Sequence, residues 1–533
     1  MDAHPELATL TLAEASRRIA ARELSPVEIT RATLERIEAL NGHLAAYITV
    51  PAELALGQAA EAEREIARSG PRSPLHGIPV ALKDNIATAG VETTAASEVL
   101  RGWMPGEDAT CWARQREAGA VLAGKTLLHE FAIAGSLWSA GYGAARNPWD
   151  LARSTNGSSS GSAAAVAAGL AFAALGTETG ASVRRPAAFC GLVGLLGSFG
   201  RVSRRGVIVN SWSLDHVGPL ARSVEDAALV LEAVSGADPA DPFSAGEPLR
   251  GLGAACARGA EGLRGLRVGV SWRHAEGTVD PDVLARVRAA LSAMEDAGAR
   301  LVELELQRTE YAAACSSAIM RAEVASAHAA ALDRGAPYSP QLAARLAADR
   351  EIPAEDYLLA LRARRAIGEE LDRAFSEVDV IASPSTATAA TPLDGGFGAM
   401  RDRPLEVGPQ WHNLHRVSSL LGLPAVTLPC GRVPAPGAPE GLPVGLQLIG
   451  RRHDEATLLR AAAGAEALAP PWAAPPLDAG TPAPPYPPGM EGQGGQGSPS
   501  LEPLRAAVRR LRELSLGGYS GDPAFAPEPR GPA

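Results

Sequence analysis

The chain has 533 residues, of which 46% are hydrophobic and 21% charged, with a formal net charge of -10. That composition is enough for one large core or two ordinary ones, and the acidic balance argues against a broad nucleic-acid-binding surface and for a small-molecule substrate. Cys111, Cys190, Cys256, Cys315 and Cys430 lie far apart with no CxxC pair and no histidine cluster at ligand spacing, which argues against a disulfide framework or a zinc site and for a reducing compartment.

In chain order, MDAHPELATLTLAEASRRIA lacks the apolar stretch of a signal peptide, and no later run reaches the ~18–20 apolar residues of a membrane span. A cytoplasmic protein with no membrane contact is expected. From Thr11 to about Leu40, Leu12, Ile19, Leu24, Ile29, Leu34 and Ile37 recur at helical spacing, interrupted by Ser25-Pro26, so two amphipathic helices are predicted. Strand-like runs follow at Ile78 to Leu82, Ala120 to Ala123, Ala171 to Leu175, Arg267 to Val270, Val378 to Ile381, Ala425 to Leu428 and Val444 to Ile449. Their alternation with helical segments predicts an α/β layered fold on a largely buried sheet. Between Leu284 and Arg373 the pattern is mostly helical and predicts a flank over that sheet. The expected domain ends near residue 469. Residues 470–500 are Pro/Gly-rich and read as a linker. Residues 501–533 carry a short basic amphipathic helix and a tail, the helix either docking back or binding a partner.

Two motifs mislead. Gly119 to Thr126 matches GxxxxGK[ST], but a phosphate loop needs its strand before the first glycine, and here the apolar run AVLA lies inside the motif. Gly157-Ser158-Ser159-Ser160-Gly161 matches the GxSxG elbow, which nominates Ser159. Yet the preceding NPWDLARSTN reads as turn-formers, and the downstream histidines have no matching setting.

Amide hydrolysis needs a nucleophile, a base that later returns the proton to the leaving amine, and donors for the oxyanion. The chain offers Lys83 at the end of an apolar run, two serine-bearing turns, and the backbone amides of Thr179-Gly180-Ala181-Ser182. A hydroxyl between lysine and nucleophile can pass a proton, because it both donates and accepts.

At these residues the sequence strongly resembles the amidase signature family. PVALKDNI around Lys83, the turn around Ser158 and the block from Glu178 to Pro186 stand in family order, and similar blocks run from about residue 8 to 468. The resemblance implies an α/β/α fold with a mixed central β-sheet flanked by helices. It implies Ser182 as the acyl-forming nucleophile, Ser158 as a bridging serine preceded by a cis peptide, and Lys83 as a neutral general base. Thr179, Gly180, Ala181 and Ser182 would line the oxyanion hole, Arg184 would hold Glu178, and neither metal nor organic cofactor is expected. The implied activity is hydrolysis of a small-molecule carboxamide. The alternatives are the glutamine-hydrolysing subunit of an amidotransferase and a catalytically impaired binding protein. A homodimer or a partner subunit contacting the C-terminal helix is the expected assembly. Several positions depart from the family pattern: Asn156 and Ala181 replace glycines, Glu178 an aspartate and Leu127 an asparagine, while Gly194 to Ser198, with Leu196, replaces GLKPT. Trp138, Trp212, Trp411 and His412 are candidates for the pocket wall.

Overall fold

The computed structural model describes residues 9–133, 137–139, 141–273, 275–393, 412–471, 473–477, 483–487 and 490. The first two helices form as predicted. Thr11 and Ser25 each close a capping box, with Glu14 and Glu28 respectively, at the starts of Leu12–Ala20 and Pro26–Leu44. Proline at the first position of the second helix adds a preset φ where no amide partner is needed.

Among the described residues thirteen strands follow in chain order: β1 (Tyr47–Thr49), β2 (Pro79–Lys83), β3 (Val121–Thr126), β4 (Arg146–Asn147), β5 (Asp150–Ser154), β6 (Ala173–Glu178), β7 (Val193–Leu196), β8 (His216–Ala221), β9 (Arg267–Val270), β10 (Arg300–Glu303), β11 (Val380–Pro384), β12 (Ala425–Ala435) and β13 (Ala438–Gly450). Eleven form one sheet in the order β1-β3-β2-β6-β8-β7-β12-β13-β11-β9-β10. The sheet is mixed: β2 runs parallel to β3 and β6, and β9 to β10 and β11, whereas the middle strands are antiparallel. Helices cover both faces, giving the α/β/α arrangement that the resemblance implied.

Each of the seven strand-like runs overlaps a strand, four of them starting one or two residues ahead of it. The others escaped for different reasons, β1 and β7 because three and four residues are too short to show a period. β8, HVGPLA, carries Pro219 in a central position. Its ladder with β7 covers only Ala221 and Leu220, so the proline stays outside it. β10 is a charged edge strand inside the segment read as mostly helical. The turn-forming residues before Gly157 also require correction, because β4 and β5 pair as a two-stranded ribbon separate from the main sheet.

Side-chain alternation along β2 decides where the chemistry sits. Val80 and Leu82 join Leu175 in one core, while Ala81 joins Ala123 and Ala174 in the other. Lys83 shares the face of Ala81. There the helix Ser160–Ala167, built only of Ser, Gly, Ala and Val, packs closely over the sheet. The GxxxxGK[ST] match is now accounted for: its last six residues are β3, and Lys125 is buried in an ion pair with Asp84 (3.2 Å) and donates to Thr93 Oγ1 (2.6 Å).

No helix among the described residues is long and apolar enough to cross a membrane. Past Glu455–Leu468, the last helix among the described residues, described parts of the Pro/Gly-rich stretch rest on the domain. The Tyr486 hydroxyl donates to Ala144 O (2.7 Å), Arg146 stacks on its ring at 3.8 Å, and Met490 is buried. The helix expected beyond Leu501 lies outside the described residues.

Candidate active site

Lys83 ends β2 with no solvent exposure, its side chain one of the largest fully buried in the protein. Its Nζ lies 2.7 Å from Ser158 Oγ, 2.8 Å from Thr177 Oγ1 and 3.1 Å from Thr177 O. Asn85 Nδ2 also donates to Thr177 Oγ1 (3.0 Å), which fixes the hydroxyl facing the lysine. Burial pushes the lysine down to about 7, against the opposing pull of Asp215 and Glu178. Near neutral pH this amine therefore has a large unprotonated fraction.

The peptide between Gly157 and Ser158 is cis, as the resemblance implied. Gly157 has no room for a side chain: a Cβ there would lie 2.3 Å from the His129 ring. Asn156 holds a φ of +61°, which asparagine tolerates better than most residues, and its carboxamide oxygen accepts the Gly157 amide at 2.8 Å. The glycine usual at this position is thus replaced by the side chain best suited to the same conformation.

The second turn follows β6. Ser159 N donates to Ser182 O (3.2 Å), which ties the two serine turns together, and Ser159 Oγ donates to Thr177 O (3.3 Å). Ser159, the residue a GxSxG reading would nominate, is therefore fully buried and turned toward β6. Ser182 is part-exposed, while Ser158 is buried. The amides of Gly180, Ala181 and Ser182 donate to no group among the described residues, whereas those of Val183 and Arg184 are taken by Glu178 Oε2 (3.0 and 3.1 Å). Three adjacent unengaged donors beside a part-exposed hydroxyl are what an oxyanion requires.

Glu178 and Arg184 hold that turn in shape. Burial would raise the Glu178 carboxyl, but Arg184, Ser419 and the Val183 amide hold it down to about 2. Arg184 Nε donates to Glu178 Oε1 (3.0 Å), and its remaining donors reach Gln447, His415 O and Ser419. The Arg184 role implied by the resemblance is present in the geometry. Thr179 is pinned from the other side, donating to Asp215 Oδ1 (2.6 Å) and accepting from Asn210 Nδ2 (3.1 Å).

Ala181 carries a φ of +80°, which strains any residue with a Cβ. Ala181→Gly is expected to raise stability by about 0.5–1 kcal/mol, the relieved strain exceeding the added chain entropy. Urea unfolding checks this, and an unchanged or lower midpoint contradicts it.

The Amidase family model matches residues 28–459, which is most of the chain and includes Lys83, Ser158 and the Glu178–Arg184 turn. The chain belongs to the amidase signature family. Among its relatives in this family, the A subunit of the glutamyl-tRNA(Gln) amidotransferase of Anaeromyxobacter sp. (strain K) is 41% identical, covering 88% of this chain and 98% of its own. The solved A subunit of the same enzyme from Thermotoga maritima superposes with a TM-score of 0.73 at 31% identity, covering 89% of this chain and 98% of its own. The peptide amidase of Stenotrophomonas maltophilia does so with 0.75 at 33%, covering 90% and 100%. Family membership makes the chain a hydrolase of carbon–nitrogen bonds in amides.

Sequence reasoning missed Thr177, His129, Asn85 and the Asp215–Asn210 brace. Thr177 stands directly before Glu178 in a block already singled out, so its proximity to Lys83 was within reach. His129 was out of reach, because its place under Gly157 depends on the cis turn. Burial first, then Lys83 and Arg185, depress its imidazole to about 3, which keeps it neutral. Of the pocket candidates, Trp138 packs on Tyr486 and Trp212 is partly exposed on the surface. Trp411 and the side chain of His412 lie outside the described residues. Leu196 and Leu127 are buried in packing, the first on β7 opposite Ala425.

Proposed function

We propose that the chain cleaves the side-chain amide of glutamine through an acyl-enzyme on Ser182, and supplies the ammonia as the amide-cleaving subunit of a larger assembly. The observation that carries this reading is the 41% identity to the A subunit of a glutamyl-tRNA(Gln) amidotransferase over 98% of that protein's length. In the proposed cycle, neutral Lys83 takes the Ser158 proton as Ser158 takes that of Ser182, and Ser182 Oγ attacks the carbonyl carbon. The oxyanion is received by the amides around Gly180 and Ala181. Collapse breaks the C–N bond, and the proton stored on Lys83 returns through Ser158 to the departing nitrogen as ammonia. Water, deprotonated along the same relay, then attacks the acyl carbon and frees the carboxylic acid and Ser182.

A second reading, a stand-alone amidase of small carboxamides, draws support from the likeness to peptide amidase and from the Ala181 departure beside the reacting carbonyl. Ammonia release from glutamine and from neutral primary amides by the purified chain, alongside native mass spectrometry of the chain recovered from its own cells, separates the two. Recovery with partner subunits and turnover of glutamine support the first. Recovery as a monomer or homodimer that turns over neutral amides unaided overturns it in favour of the second.

A further inference from the structure

Most buried arginines in this protein are satisfied. Arg184 is paired with Glu178, and Arg222 donates to the carbonyls of Leu10, Val166 and Ala171. Two beside the candidate active site are different. Among the described residues the side chain of Arg185, only 7% exposed, makes a single long hydrogen bond, from Nη2 to Gly180 O (3.5 Å), and its buried Nε has no partner. Arg416, half-buried on the helix His412–Leu421, donates from Nη1 to Ser317 Oγ (3.1 Å), and its Nε is likewise buried without a partner. A Cβ built on Gly180 would stand 3.6 Å from Arg416 Cζ, so this guanidinium lies over the turn that carries Ser182.

Both guanidiniums thus lie at Gly180, and Arg185 feels the charge of Arg416. Burial and then Arg416 push Arg185 down to about 9, and burial and then Arg345 push Arg416 down to about 10. Glu178, the carboxylate that acts on Arg185, is committed to Arg184, and Asp349 is shared by Arg321 and Arg345. Two like charges held out of water without a counter-ion are costly, and a planar carboxylate matches the donors they leave free.

We propose that Arg185 and Arg416 form a carboxylate subsite beside the Gly180–Ser182 turn, so that the chain selects amides that themselves carry a carboxylate. This rests on the reading of that turn as the site of amide cleavage, and it applies to glutamine and to other carboxylate-bearing amides alike. An uncharged amide leaves both guanidiniums unpaired and binds correspondingly less well.

The test uses equilibrium binding, so that no chemistry is needed. Glutaramate and its uncharged counterpart glutaramide are titrated calorimetrically into the full chain carrying Ser182→Ala. Glutaramate is expected to bind about tenfold to a hundredfold more tightly, the effect of charge-assisted hydrogen bonds at a partly buried site. Adding Arg416→Met should abolish the preference, and Arg416→Lys should restore part of it, with thermal unfolding confirming that both variants fold. Equal binding of the two compounds, binding of neither at millimolar concentration, or a preference that survives Arg416→Met overturns the proposal. Failure of the cleavage reading shows separately, as ammonia release that Ser182→Ala leaves unchanged.

Discussion

Ser182→Ala is expected to lower ammonia release by roughly four orders of magnitude or more, because nucleophile and relay act as a unit and removing one part costs nearly as much as removing all. Lys83→Met should fall to a similar residual rate. The lysine adds a signature that the serine does not. Its ammonium form can accept no proton, so kcat/KM should fall about tenfold per pH unit below about 7, where the buried amine titrates, and level off above it. Initial rates between pH 5 and 9 check this. A profile flat through neutrality would remove Lys83 as the base, even if its substitution is damaging.

Arg184→Met should have the largest effect on the fold. The substitution leaves Glu178 fully buried and charged without its cation, a change that costs about 3–5 kcal/mol. The damage reaches function, because Glu178 holds the amides of Val183 and Arg184 and thereby sets the turn that presents Ser182. Glu178 also imprints a pH dependence on the wild type. Its carboxyl is held at about 2, below the ordinary carboxylate range, so its stabilisation is complete above roughly 4.5 and is lost as pH falls from there toward 2. Urea midpoints of wild type and Glu178→Gln measured across that window should converge as the pH drops. Parallel curves would show that the pair contributes nothing net.

The fold was legible where apolar runs are uniform. β2 and β6 are buried at every position, as are Val268–Val270 of β9 and Leu442–Gly450 of β13, and these sequences say so. β8 was not, since Pro219 reads as a strand breaker, yet it pairs with Leu175 in the β6 ladder and lies beyond the β7 ladder, a fact of pairing rather than of composition. The residues themselves pointed to Lys83, which ends an apolar strand, and to two glycine-flanked serine turns; the choice of Ser158 and Ser182 within those turns came from the family resemblance. What a single sequence could not show is the contact that completes each group. Thr177 against Lys83, the Ser159 amide on Ser182 O, and Arg416 over Gly180 join segments up to 236 residues apart in the chain, and only the packed sheet brings them together. The departures resolve unevenly. Asn156 fits its left-handed conformation with a hydrogen bond to spare, whereas Ala181 is strained in its own.

The central claim is that Ser182 is the nucleophile and that Lys83 activates it through Ser158. Its most direct test is covalent: treat the chain with a fluorophosphonate at pH 8 and map the modified residue by peptide mass spectrometry, in wild type and in Lys83→Met. The account predicts a single adduct on Ser182 that forms orders of magnitude more slowly in the lysine variant. An adduct on Ser159 or another serine, or a Ser182 adduct whose rate ignores Lys83→Met, would contradict it.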